Sequence, residues 1–77
     1  MIIEYRYGYR NKGYPNKWLY FDPHSTQAEC VDFHPDILWL AKNVLQDEFS
    51  IRCESGSVKK AIWELVKFKI TYEEVNE

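Results

Sequence analysis

Residues 34–49, HPDILWLAKNVLQDEF, form the longest helical pattern in the chain and limit what the rest can do. Pro35 suits a first helical turn, where its missing N–H is not needed. Asp36 beside it favours the positive end of a helix dipole. Ile37, Leu40, Ala41, Val44 and Leu45 recur at three- and four-residue steps and mark one apolar face. Leu38 and Trp39 widen that face, so the spacing predicts a helix over about 35–48 that is covered on more than one side. Leu40, Val44 and Leu45 are then the candidate core, and truncating Leu40 to Ala is expected to cost about 2–5 kcal/mol.

The segments around this helix must bury it. Residues 2–9, IIEYRYGY, alternate, with Ile3, Tyr5, Tyr7 and Tyr9 on one side, and read as a half-buried strand. RNKGYPN makes a turn around Gly13 and Pro15. Residues 17–21, KWLYF, form a second strand, giving a hairpin with a long loop. Residues 24–34 carry two patterns. Thr26 and Glu29 fit a capping box, while Val31 and Phe33 alternate with their neighbours. The reading adopted is a third strand over 29–33. FSIRC, residues 49–53, reads as a strand that turns at Gly56. Ser57 is a natural N-cap for a second helix to about 67, marked by Val58, Ala61, Ile62, Leu65 and Val66. From Phe68 the period becomes alternating, so a last strand is expected. The predicted order is β-β-(β)-α-β-α-β. It describes one α+β domain over residues 1–77, with an antiparallel-rich sheet of four to five strands packed against two helices.

Length and composition narrow the classes. A chain of 77 residues has room for one modest core, with a radius of gyration of about 11–12 Å and a stability of about 4–8 kcal/mol. Aromatic residues make up 17%, more than so small a core should hold, so some are expected at the surface. No run is long enough to span a membrane. The start of the chain shows no apolar signal region, which points to the cytoplasm. Residues 1–20 carry a net charge of +3 and residues 21–54 a net −5, a basic aromatic beginning followed by an acidic middle. Such asymmetry suggests partner binding.

Chemistry-bearing residues are sparse. His24, Cys30, His34 and Cys53 are zinc-ligand types, but only Cys30 and His34 stand at a knuckle-like step. Neither a metal nor a cofactor is expected. The two cysteines read as reduced, partly buried thiols. No base or glycine-rich turn stands beside either, and Asp22, Asp32 and Asp36 straddle two prolines. The chain therefore reads as a non-enzyme.

Two binding readings remain. Tyr, Trp and Arg dominate protein interfaces, and the candidate partner-binding residues are Tyr9, Arg10, Lys12, Tyr14, Trp18, Trp39 and Trp63. A protein partner is expected, and a homodimer seam is compatible with the same residues. The alternative uses YRYGYRNKGYPNKW, whose rings and cations suit single-stranded nucleic acid. In general character, though not in any motif, the short aromatic-rich chain resembles small proteins carried by phages and other mobile elements. That likeness implies an inhibitor or adaptor acting by surface contact on a host protein.

Overall fold

A computed structural model describes residues 1–25 and 27–76. Its architecture is α+β: a four-stranded antiparallel sheet with one α-helix and two isolated 3-10 turns. The strands are β1 (Ile2–Asn11), β2 (Lys17–Phe21), β3 (Ala28–Asp32) and β4 (Trp63–Tyr72), in the spatial order β3-β2-β1-β4. The helix, α1, spans Lys42–Glu54.

The first three strands follow the alternation of the sequence closely. The sheet then buries both of its faces. On one face Tyr9, Leu19, Phe21, Leu45, Phe49 and Val58 form a core under α1, with Leu65 and Trp63 packed against it. On the other face Trp18, Ile37 and Leu38 pack together, supported by Val31, Val66 and Phe68. Gly8 is buried on this second face, where a Cβ would come within 3.0 Å of the Leu38 side chain and 3.2 Å of the Trp18 ring. The chain passes from one face to the other at Trp39. Its N–H donates to the Tyr7 carbonyl and its carbonyl accepts from the Tyr7 N–H, both at 2.8 Å.

The helical reading of 35–48 is corrected by this crossing. Pro35–Ile37 makes a single 3-10 turn, capped by His34, whose Nδ1 accepts from the Asp36 N–H at 3.2 Å. Leu38 leaves the turn in an extended conformation. Burying Ile37 and Leu38 against Trp18, together with the Trp39–Tyr7 bonds, overrides the local helical preference. The helix starts seven residues later and faces differently: Leu45, Phe49 and Arg52 are buried, whereas Leu40 and Val44 are 58% and 48% exposed.

The second helix expected after Ser57 is absent, and FSIRC is helical rather than a strand. Gly56, at φ +84°, ends α1. Its N–H donates to the Cys53 carbonyl and the Ser57 N–H donates to the Arg52 carbonyl. Those two bonds are a Schellman closure, so ESGS stops a helix instead of starting one. Only Lys60–Ile62 turns as 3-10 before β4 begins. β4 is apolar on both sides because it sits over both cores: Trp63 and Leu65 face one, Val66 and Phe68 the other. Two interleaved alternations mimic helical spacing there.

Beyond the cores, β1 and β4 continue as a two-stranded ribbon, with Ile2 opposite Tyr72 at its far end. The ribbon gives the molecule a length of 50 Å and a radius of gyration of 14.0 Å, against about 11–12 Å for a compact chain of this length.

Candidate functional site

The residues around the start of β4 form an open groove of about 620 Å³, lined by Tyr9, Lys12, Gln46, Phe49, Ser50, Lys60, Ala61 and Trp63. Its floor is aromatic. The Tyr9 and Phe49 rings stack at 3.9 Å with an interplanar angle of 15°. Strand alternation places Tyr9 beside Leu65, and the four-residue step from Leu45 to Phe49 lays the phenyl ring over it. The Lys12 N–H donates to the Ile62 carbonyl at 2.8 Å, which ties the end of the basic hairpin to the turn carrying Lys60. Two lysines thus stand at one rim. Neither ammonium has a carboxylate partner among the described residues.

Burial pushes the Tyr9 hydroxyl above its ordinary value, with the nearby Cys53 adding to the effect. Burial likewise pushes the Cys53 thiol up, against a smaller opposing effect of Lys60. Both groups therefore stay neutral at neutral pH. The groove continues past Phe49 and Ser50 to Cys53 and Glu54. Aromatic floor, cationic rim and neutral polar side chains can seat an extended segment that carries a carboxylate and an apolar side chain.

The residues singled out in the sequence divide between this groove and the rest of the molecule. Tyr9, Lys12 and Trp63 meet in it. Tyr9 is almost fully buried there, 6% exposed, with its ring stacked on Phe49. Trp18 is in the opposite core at 3% exposure, where Phe33 and Phe68 surround it at 5.3 and 5.6 Å. Arg10 is on that far side too. Its guanidinium donates twice to Glu64 Oε1, at 2.8 and 3.0 Å, and lies 5.8 Å from the Trp18 ring centre. Tyr14 is exposed in the loop between β1 and β2. Trp39 is half-buried against Phe21. Reading the sequence missed Gln46, Phe49, Ser50, Lys60 and Ala61. The i, i+4 step from Gln46 to Ser50 signals one helix face, but only if 46–50 is first recognised as helix.

A second recess, of about 450 Å³, is lined by Phe21, Pro23, Ser25, Trp39, Glu48, Ile51 and Arg52. Arg52 is only 4% exposed. It donates to the Glu48 carboxylate and to the Asp22 and Ser25 carbonyls, at 3.2 and 3.1 Å for the latter two, and lies 4.6 Å from the Phe21 ring centre. This side chain ties α1 to the β2–β3 loop.

The metal-ligand types are dispersed. Cys30 is exposed, not partly buried as expected, and Cys53 is half-buried; neither is in a disulfide. Among the described residues no three His, Cys, Asp or Glu side chains gather into a metal-binding group, and no helix is long and apolar enough to cross a membrane. No protein-family model, curated protein or solved structure matches the chain.

Proposed function

We propose that the protein is a non-enzymatic, cytoplasmic protein-binding module that holds an extended, acidic and apolar segment of its partner in the groove between α1 and the start of β4. The observation that carries this reading is the pairing of an aromatic floor with two lysines that have no carboxylate of their own. A partner carboxylate gives them one, and a partner side chain covers the Trp63 and Phe49 rings, the types of residue that anchor interfaces. Action on a host protein by surface contact, as an inhibitor or adaptor of the kind mobile elements carry, is the biological setting that suits such a surface.

Single-stranded nucleic acid is the weaker reading because of where the cations are. Arg6 bonds Glu4, Arg10 bonds Glu64 and Lys17 bonds Asp32, at 2.8, 2.8 and 2.7 Å. Of the hairpin cations expected to meet phosphates, only Lys12 has no carboxylate partner among the described residues.

The test is affinity capture from cells of the source organism. The wild type is compared with a Lys12→Glu, Lys60→Glu, Trp63→Ala variant and with Lys69→Ala, which lies away from the groove. A single protein held by wild type and Lys69→Ala but lost from the triple variant supports the groove. A partner retained equally by all three removes it.

A further inference from the structure

We infer that the outer edge of β4 pairs with the same edge of a second copy of this chain, in antiparallel two-fold register centred on Ile70. The inference is separate from the groove, which lies at the opposite end of β4.

β4 is the last strand of the sheet, so among the described residues its outer edge has no strand beside it. Tyr7 points its backbone groups away from β4 toward Trp39. In an antiparallel ladder, Lys67 opposite Tyr7 must then also point its own outward. By the same alternation Lys69 and Thr71 present free N–H and C=O groups. The other edge of the ribbon is closed at Tyr7 by Trp39 and at Arg10 by β2, and among the described residues no strand lies beside it from Ile2 to Arg6. At the far end neither core covers the ribbon: Ile2 is 69%, Ile3 47%, Tyr5 44% and Tyr72 50% exposed. Two strands alone are marginally stable in water, and an open apolar edge is a template for another strand.

At the end of β4 that neither core covers, among axes on residues 68–71, the sequence favours one register for a second copy. Outward-pointing residues must face outward-pointing residues, so the two-fold axis falls on one residue and each pair sums to an even number. Centred on Phe68, the pairing sets Lys67 against Lys69 twice. Centred on Lys69, it sets that lysine against itself. Like charges directly opposite oppose pairing. Centred on Thr71, it overlaps only residues 70–72 of the two strands. Centred on Ile70, it overlaps residues 68–72. Phe68 then faces Tyr72 twice, Ile70 faces Ile70, Lys69 faces Thr71, and Lys67 meets Glu73 of the exposed tail on both sides of the axis. The product is one continuous eight-stranded sheet with a groove open near each end.

Sedimentation velocity over a concentration series tests this, with circular dichroism to verify each fold. Wild type is expected to move from 9.3 kDa toward twice that mass. Lys67→Glu alone and Glu73→Lys alone should each weaken association roughly tenfold, and the double reversal should restore it. Glu73 lies beyond β4, so its variant reads pairing without disturbing the monomer. Thr71→Pro, which removes an outward N–H, should abolish the dimer. A wild type that stays monomeric at about 1 mM overturns the inference, as does a dimer indifferent to the single reversals or not rescued by the double one.

Discussion

Leu45 and Leu40 stand five residues apart and have opposite fates. Leu45 is 1% exposed between α1 and the sheet, whereas Leu40 is 58% exposed. Leu45→Ala should therefore cost about 2–5 kcal/mol in urea unfolding, as cavity-forming truncations do. Leu40→Ala should cost under about 0.5 kcal/mol, which reverses the expectation read from periodicity. Equal losses at the two positions would show that the helix face is wrong. The same core sets a pH dependence. Tyr9 and Cys53 are held neutral by burial, with values raised above their ordinary 10.0 and 9.0. The unfolded chain loses these protons at lower pH than the folded one, so their support is complete below about pH 9 and is lost as pH rises through the raised folded values. The melting temperature should fall in that alkaline range. Tyr9→Phe, which keeps the ring on Phe49, should flatten the decline, and an unchanged slope would mean that Tyr9 does not contribute to it.

Among the elements, α1 depends most on a single polar side chain. Arg52 joins its last turn to Glu48 and to the Asp22 and Ser25 carbonyls. Replacing it with Met leaves those carbonyls short of donors and should cost about 3 kcal/mol, with the β2–β3 loop losing hydrogen-exchange protection first. A loss confined to α1 would show that the tether is not coupled to the loop. Gly8→Ala tests the other face, where a Cβ meets Leu38 and Trp18; overpacking of this kind should cost about 1–3 kcal/mol. These elements also show how far the sequence was legible. β2 came out at the predicted residues, and β1 and β3 nearly so, because alternation between core and water is a local signal. The helices did not. Arg52 reads as polar and so was not counted toward a buried helix face over 42–54, while β4, buried on both sides, gave apolar residues at steps a helix would use. Gly56 was seen as a turn, but whether it ended a helix or a strand depended on what preceded it. The groove was half legible. Tyr9, Lys12 and Trp63 stood out by type, whereas Phe49 and Lys60 join them only through the true position of α1.

At the scale of the whole molecule, folding pairs three of the four cations of residues 1–20 with carboxylates, one of them from the acidic middle of the sequence. The basic hairpin is folded onto acidic partners: Glu4 holds Arg6, Glu64 holds Arg10 and Asp32 holds Lys17. A phosphate competing for any of these cations must approach the carboxylate already there. Lys12 and Lys60 line the groove with no carboxylate partner among the described residues, so a nucleic acid seated there has two cations to meet. Two phosphate contacts give a single-strand slope of log affinity on log salt of about −1.4. Charge at about 0.15 M salt is screened beyond about 8 Å. The stacking surface is equally divided, since Tyr9 is buried while Tyr5 and Tyr14 are exposed at 44% and 69% on the ribbon and the hairpin loop. Mixed-sequence single strands should therefore bind more weakly than about 10 μM near 0.15 M salt, measured by fluorescence anisotropy, an energy of less than about 7 kcal/mol. If the binding is instead micromolar or tighter, falls with a slope of about −1.4 or steeper, and disappears in Lys12→Glu, Lys60→Glu, the groove is a nucleic-acid site and the protein-binding reading fails.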